Sequence, residues 1–280
     1  MNQITTEATV PEKTWERDTP PSNVRDLHPM RAAPEGMSAE EWALRQKLAA
    51  AYRIVDDLNW SLVVFNHITV RIPGPEHHFL INPFGLRYDE VTASNLVKID
   101  VDGNKIDDSP WAVNQAGFVI HSAIHRDVPD AAAVFHTHTR EGMAVACTKR
   151  GLTNTNFYSA MIFDHIAYHD FEGLTTRTDE QAAMLKSIGD KPLCILRNHG
   201  LLACGRTIEE GFQRMWTLQL ACETQMATES MGGEVLEISP EAAAWSAKDA
   251  GLFGPEPTRG GMVFNALQRA TEARDPSFLS

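Results

Sequence analysis

The sequence predicts an α/β fold in which helices cover a central, mainly antiparallel sheet. Two observations carry this prediction. Short apolar runs of strand length are interleaved with helical stretches along the whole chain. Some of those runs are joined by connections too short for a crossover, as between Leu96–Asp100 and Lys105-Ile106 across Asp102-Gly103, which favours antiparallel neighbours.

The elements follow in order. Ser38-Ala39-Glu40-Glu41 is a capping box, with Ser at the cap and Glu three residues on, and it opens a helix to about Asp57. Residues 60–72 read as a strand with a polar break at Asn66-His67, and Phe79–Ile81 as a second strand ending in the turn Asn82-Pro83-Phe84-Gly85. After the hairpin at 96–106, Gly117–His125 is a short helix that feeds the apolar run Ala131–Phe135. Glu141–Thr148 is helical and Met161–Tyr168 a strand. Thr178–Gln181 caps a helix to about Ser187, and Leu193–Leu196 with Leu201–Cys204 form a strand pair around Asn198-His199-Gly200. Thr207 caps a long helix whose apolar side carries Ile208, Phe212, Met215, Trp216 and Leu220. The domain reading is an extended, proline-rich N-terminal arm (1–37, with Pro11, Pro20, Pro21, Pro29 and Pro34), a domain over 38–230, and a C-terminal extension (231–280) with a short helix near Phe264–Ala273.

Bulk properties exclude several classes. The 280 residues suffice for a large core without staples. A net charge of −12 with no run of Lys or Arg argues against a nucleic-acid surface. The polar, acidic start is not a signal peptide and no apolar run is long enough to span a membrane, so a cytoplasmic protein with no membrane partner is expected. The four cysteines form no CxxC pair and lie in apolar surroundings, as reduced core residues do.

Chemistry concentrates at the histidines. His136-Thr137-His138 closes the run Ala131–Phe135, and residues two apart on a strand face the same way, so both imidazoles project from one face. Neutral imidazoles held that close suit a shared divalent metal, with His199 as a further donor if its turn comes near. Spacing alone leaves a second reading open, in which the pair packs at a strand end.

Six linked segments in order extend this. They are Asn66-His67-Ile68-Thr69-Val70-Arg71, Asn82-Pro83-Phe84-Gly85, Gly117-Phe118-Val119-Ile120-His121-Ser122-Ala123-Ile124-His125, His136-Thr137-His138-Thr139, Ile166-Ala167-Tyr168-His169-Asp170 and Arg197-Asn198-His199-Gly200-Leu201-Leu202. Together, from about Ser38 to about Glu229, they resemble the class II aldolase/adducin domain, on its adducin-like bacterial branch. The resemblance implies a three-layer α/β/α sandwich around the antiparallel sheet, a homotetramer with sites between subunits, and a divalent metal held by His136, His138 and His199. Zinc is the expected ion, with manganese or iron as the others.

The sequence departs from the family's sugar-phosphate aldolases at two places. They carry a glutamate, as metal ligand and acid/base, four residues before the position of His121; Gly117 stands there. Their phosphate pocket is matched by Asn66-His67, Phe84-Gly85 and Gln115-Ala116, and neither Phe84 nor Ala116 can donate a side-chain hydrogen bond to phosphate. The expected activity is therefore metal-dependent carbon–carbon cleavage of a small carbonyl or hydroxy-aromatic acid rather than a sugar phosphate, by an aldol, retro-aldol or decarboxylation route. His67, Phe84 and Gln115 are the candidate substrate contacts. His121, Tyr168 and His169, with His165, are the candidate proton donors. The alternatives are a non-haem iron oxygenase on the same three histidines and a non-catalytic adducin-like assembly module.

Overall fold

The structure, a computed structural model, describes residues 26–174, 179–251 and 259–280. Its centre is a seven-stranded sheet. The strands are β1 (His67–Arg71), β2 (Phe79–Ile81), β3 (Val97–Ile99), β4 (Ala133–Thr137), β5 (Ile166–His169), β6 (Leu193–Leu196) and β7 (Gly200–Gly205), in the order β3-β2-β1-β4-β7-β6-β5. Every neighbouring pair is antiparallel except β5 with β6, which is parallel. The mainly antiparallel sheet read from the short connections is present.

Strand alternation divides the core. On one face Ile68, Phe135, Ile195 and Leu201 pack with Leu48 and Tyr52 of α1 (Ala39–Asp57) and Phe212 and Leu218 of α6 (Ile208–Ser230). On the other, Val134, Cys194, Leu196 and Leu202 pack with Ile120 and Ile124 of α2 (Gln115–Asp127) and Met184 and Ile188 of α5 (Glu180–Ile188). Helix, sheet and helix thus form three layers, because β4, β6 and β7 bury apolar side chains on both faces. Burying each large side chain contributes about 1.5–3 kcal/mol.

Local departures from expectation have local causes. The 60–72 strand starts only at His67, because Asn59, Val63 and Asn66 adopt positive φ (58°, 51° and 70°) and turn the chain before it. The 161–168 strand starts at Ile166. Met161 instead ends a short helix, α4 (Phe157–Met161), whose cap Asn156 accepts from the Ser159 N–H at 3.0 Å, and Asp164 turns the chain at φ 62°. Between α2 and α4 lies α3 (Arg140–Ala146), capped by Thr139. Among the described residues the C-terminal part carries two α-helices rather than one, α7 (Pro240–Ala250) and α8 (Gly261–Arg274). Ser239 caps α7 and Pro240 sits in its first turn, a signal present in the sequence. Phe264, Phe278 and Leu279 are buried in the main core. Cys147 is exposed, unlike the other three cysteines and contrary to the core placement expected. The Thr178 cap and Pro11, Pro20 and Pro21 lie outside the described residues.

Candidate metal centre

Two local devices bring the histidines together. Thr139 ends β4 by capping α3, its hydroxyl accepting from the Gly142 N–H at 3.2 Å, which leaves His138 at the strand end beside His136. Asn198, at φ 58°, makes the tight turn from β6 to β7, and His199 closes it, its N–H donating to the Leu196 carbonyl at 3.0 Å. Gly200 then permits the close approach: a Cβ there would lie 2.4 Å from the Thr137 carbonyl oxygen and 2.9 Å from the His138 ring. Only glycine lets β7 start against the end of β4 in this way.

The result is one cluster. A nitrogen from each of His136, His138 and His199 lies within 4.8 Å of the others. The ring centroids are 4.6 Å (His136–His138), 4.9 Å (His136–His199) and 4.8 Å (His138–His199) apart. His136 Nδ1 lies 2.9 Å from the Leu201 carbonyl oxygen, which can only accept. That fixes the proton on Nδ1 and leaves Nε2 as a donor atom for an ion, the arrangement that outer-shell carbonyls impose on metal-bound histidines.

Burial holds these imidazoles uncharged, as ligation requires. It pushes His136 well below the ordinary histidine range, with His138, His199, His67 and His121 adding to the effect. It lowers His138 as well. His199 falls to about 4 through burial, then through His138 and His169. Three neutral nitrogens and one orienting carbonyl fit a divalent ion.

His199 also lines a cleft, with His169, Phe171, Gln181, Met184 and Arg197 around it. The Phe171 ring stands 6.4 Å from that of His199. His169 is half-buried, its Nδ1 3.0 Å from the Ser187 hydroxyl.

The other candidates fall elsewhere. Tyr168 points to the opposite face of the sheet, since it neighbours His169 on β5. Its hydroxyl accepts from the Leu152 N–H at 3.0 Å and the Arg197 guanidinium lies 4.6 Å over its ring, so within the chain it is engaged on the face away from His199. His165 sits near Lys191 and Arg214, at the other end of β5. His121 is fully buried with both ring nitrogens engaged, by His67 and by Thr69, so contact with a substrate is closed to it. The cleft wall includes neither Phe84 nor Gln115. Phe84 is 36% exposed, and its ring lies 6.5 Å from that of Phe65. Gln115 is exposed at the start of α2. His67 is cross-strand from His136, its ring stacked 5.0 Å away at 30°.

Sequence reasoning assigned no role to Thr69 or to His125; Asn66, matched to the phosphate pocket, is buried, and its side-chain oxygen and nitrogen both lack a hydrogen-bond partner among the described residues. The parity of β1 is the signal that could have found Thr69. Paired with β4, it puts His67 and Thr69 on the face of His136.

Residues 46–226 match the class II aldolase and adducin N-terminal domain. The chain belongs to that family. An aldolase class 2 family protein of Caulobacter vibrioides is 44% identical over 207 residues, spanning 74% of this chain and 80% of its own. The crystal structure of an aldolase II superfamily protein from Pseudomonas syringae superposes with a TM-score of 0.81 at 40% identity, covering 87% of this chain and 98% of that one. An L-fuculose 1-phosphate aldolase from Glaciozyma antarctica PI12 superposes at 0.74 with 28% identity, covering 88% and 95%. The class II aldolase-like α/β fold expected from the linked segments is therefore the fold of this chain. Among the described residues, no helix is long and apolar enough to cross a membrane.

Proposed function

We propose that this chain is a zinc-dependent carbon–carbon lyase acting on a small carbonyl or hydroxy-aromatic acid. The observation that carries the reading is the convergence of His136, His138 and His199, the last of which also lines a cleft. The family relation to an L-fuculose 1-phosphate aldolase supports the reaction class. A divalent ion bound there would supply a Lewis acid that stabilises the enolate left by bond cleavage.

The chain's own residues supply the rest. His136 is oriented by the Leu201 carbonyl, and His199 by its turn. Phe171 and Met184 give the cleft an apolar wall suited to a flat or small apolar substituent. Arg197 is committed elsewhere, donating to the Thr148 carbonyl at 3.2 Å and pairing with Asp170 at 3.5 Å. The three neutral ligands leave the ion's charge uncompensated, and that favours an anionic substrate. His169 donates from Nδ1 to the Ser187 hydroxyl, which itself donates to the Ala183 carbonyl, so its bare Nε2 could take the proton of the substrate hydroxyl in a retro-aldol cleavage and return it to the carbanion.

The same reading assembles the chain as a homotetramer. Leu62, Val63, Phe65 and Phe84 are exposed apolar side chains along and beside the segment leading into β1, as an interface between copies requires.

The test is turnover of small α-keto and hydroxy-aromatic acids by the full chain, before and after chelation. Activity lost on chelation and restored by zinc supports the lyase. Activity indifferent to complete metal removal overturns it, and oxygen consumption that requires iron would replace it with an oxygenase.

A further inference from the structure

Four buried groups form a continuous line behind the metal centre. His125 Nδ1 lies 3.2 Å from the Ala131 carbonyl oxygen, and His125 Nε2 lies 2.6 Å from the Thr69 hydroxyl. The same hydroxyl lies 2.7 Å from His121 Nδ1, and His121 Nε2 lies 2.9 Å from His67 Nδ1. Thr69, His121 and His125 are wholly buried and His67 is 3% exposed. Burial keeps His121 and His125 uncharged.

The line has one direction. A carbonyl oxygen only accepts, so His125 donates from Nδ1 and its Nε2 accepts. The Thr69 hydroxyl therefore donates to His125 and accepts from His121 Nδ1. His121 Nε2 is then an acceptor, and it takes the proton on His67 Nδ1. Each assignment forces the next, and the last leaves His67 Nε2 without a proton.

The space that His67 occupies is also defined. A Cβ on Gly117 would lie 2.4 Å from His67 Cδ2, 2.8 Å from Cγ and 2.9 Å from Nε2. The ring cannot yield, since it is stacked on His136 on one side and edge-on to His121, 4.4 Å away, on another. The absence of a side chain at Gly117 and the presence of an imidazole at His67 are two halves of one packing arrangement.

We propose that His67, from β1, supplies the hydrogen-bond acceptor that Gly117 cannot supply from α2, and that Thr69, His121 and His125 are positioning residues that lock it in the Nδ1–H tautomer. The group it would receive is a hydroxyl held at the three-histidine centre, either a water or a substrate alcohol or phenol. This rests on the metal reading above for the group it serves, but the lock is a property of the chain alone.

The experiment uses the full chain with ¹⁵N-labelled histidines, first metal-free. The expected result is His67 with Nδ1 protonated and Nε2 bare. Thr69→Val keeps the shape and removes the hydroxyl, so the His67 nitrogens should shift towards a mixture of tautomers. Thr69→Ser should restore the wild-type pattern, which a merely space-filling role would not require. A wild-type His67 protonated on Nε2, or a pattern unchanged by Thr69→Val, overturns the lock. Zinc is then added. A His67 Nε2 resonance that moves together with those of His136, His138 and His199 supports the acceptor role, and one that stays fixed while those three move overturns it. Zinc that moves none of the four overturns the metal reading instead, with the tautomer result still deciding the lock.

Discussion

A Cβ on Gly200 would strike the end of β4 that carries His138, and one on Gly117 would strike the His67 ring beside His136. Gly200→Ala would drive its methyl against the Thr137 carbonyl, a backbone atom that cannot turn away. We expect a loss of about 1–3 kcal/mol in unfolding free energy, measured by denaturant titration. A separate fall in zinc affinity should follow, because His199 is displaced with the turn. Gly117→Ala meets the His67 ring instead. Its cost should be similar alone and should shrink when His67→Ala is combined with it, a coupling that a double-mutant cycle reads directly. Equal costs in both backgrounds would contradict the packing pair. His138→Ala should weaken zinc binding by more than the roughly 10–100-fold typical of outer-shell changes, with little loss of fold, since this ring is only partly buried. His136, His138 and His199 were legible because they occur in recognisable segments. The roles of Thr69 and His125 were not, because a threonine and a helix histidine carry no pattern of their own. Only the β1–β4 register and the burial of α2 join them into a line.

At the scale of elements, the histidines of β1 and α2 make the layer sensitive to acid. Burial pushes His125 down to about 3, with the nearby Arg71 charge adding to it, and His67 also to about 3. In the unfolded chain both titrate near the ordinary value of about 6.5. The unfolded state therefore binds protons first as pH falls. The stability tied to the neutral, buried rings is complete above pH ~6.5 and is lost as pH drops towards the folded values. Each such histidine steepens the loss by about 1.4 kcal/mol per pH unit within that window. Denaturant midpoints of chelated protein should fall between about pH 7.5 and about pH 5. A flat midpoint across that range would contradict neutral burial. Element boundaries show what a single sequence yields. Capping residues such as Ser38 and Thr207 marked α1 and α6 correctly, because the local hydrogen bond they form is the one the helix needs. The strand expected at Met161 failed for the same kind of reason. Asn156 and Ser159 cap a helix there, and the apolar residues 161–163 resemble a strand only if that cap is overlooked.

For the whole molecule, the sheet order explains why distant segments share a site. β1, β4 and β7 are adjacent, so Asn66–Arg71, His136–His138 and His199–Leu202 meet although far apart in sequence. The fold class was readable from short connections and alternating elements. The burial of Phe264, Phe278 and Leu279 in the main core was not, because the C-terminal extension that carries them is broken by glycines and prolines. The exposed apolar side chains Val63 and Phe65, 64% and 51% accessible, should be covered in a tetramer. Light scattering is expected to give the mass of four chains, with Phe65→Ser shifting it down; a wild-type monomer would contradict the assembly. The proposed chemistry depends on a metal held by His136, His138 and His199. Calorimetric titration of chelated protein with zinc, beside the His136→Ala, His138→Ala double variant, tests it most directly. We predict saturable binding of one zinc per chain in the wild type and its loss in the variant. A wild type that takes up no zinc, or a double variant that binds it as well, would contradict the account.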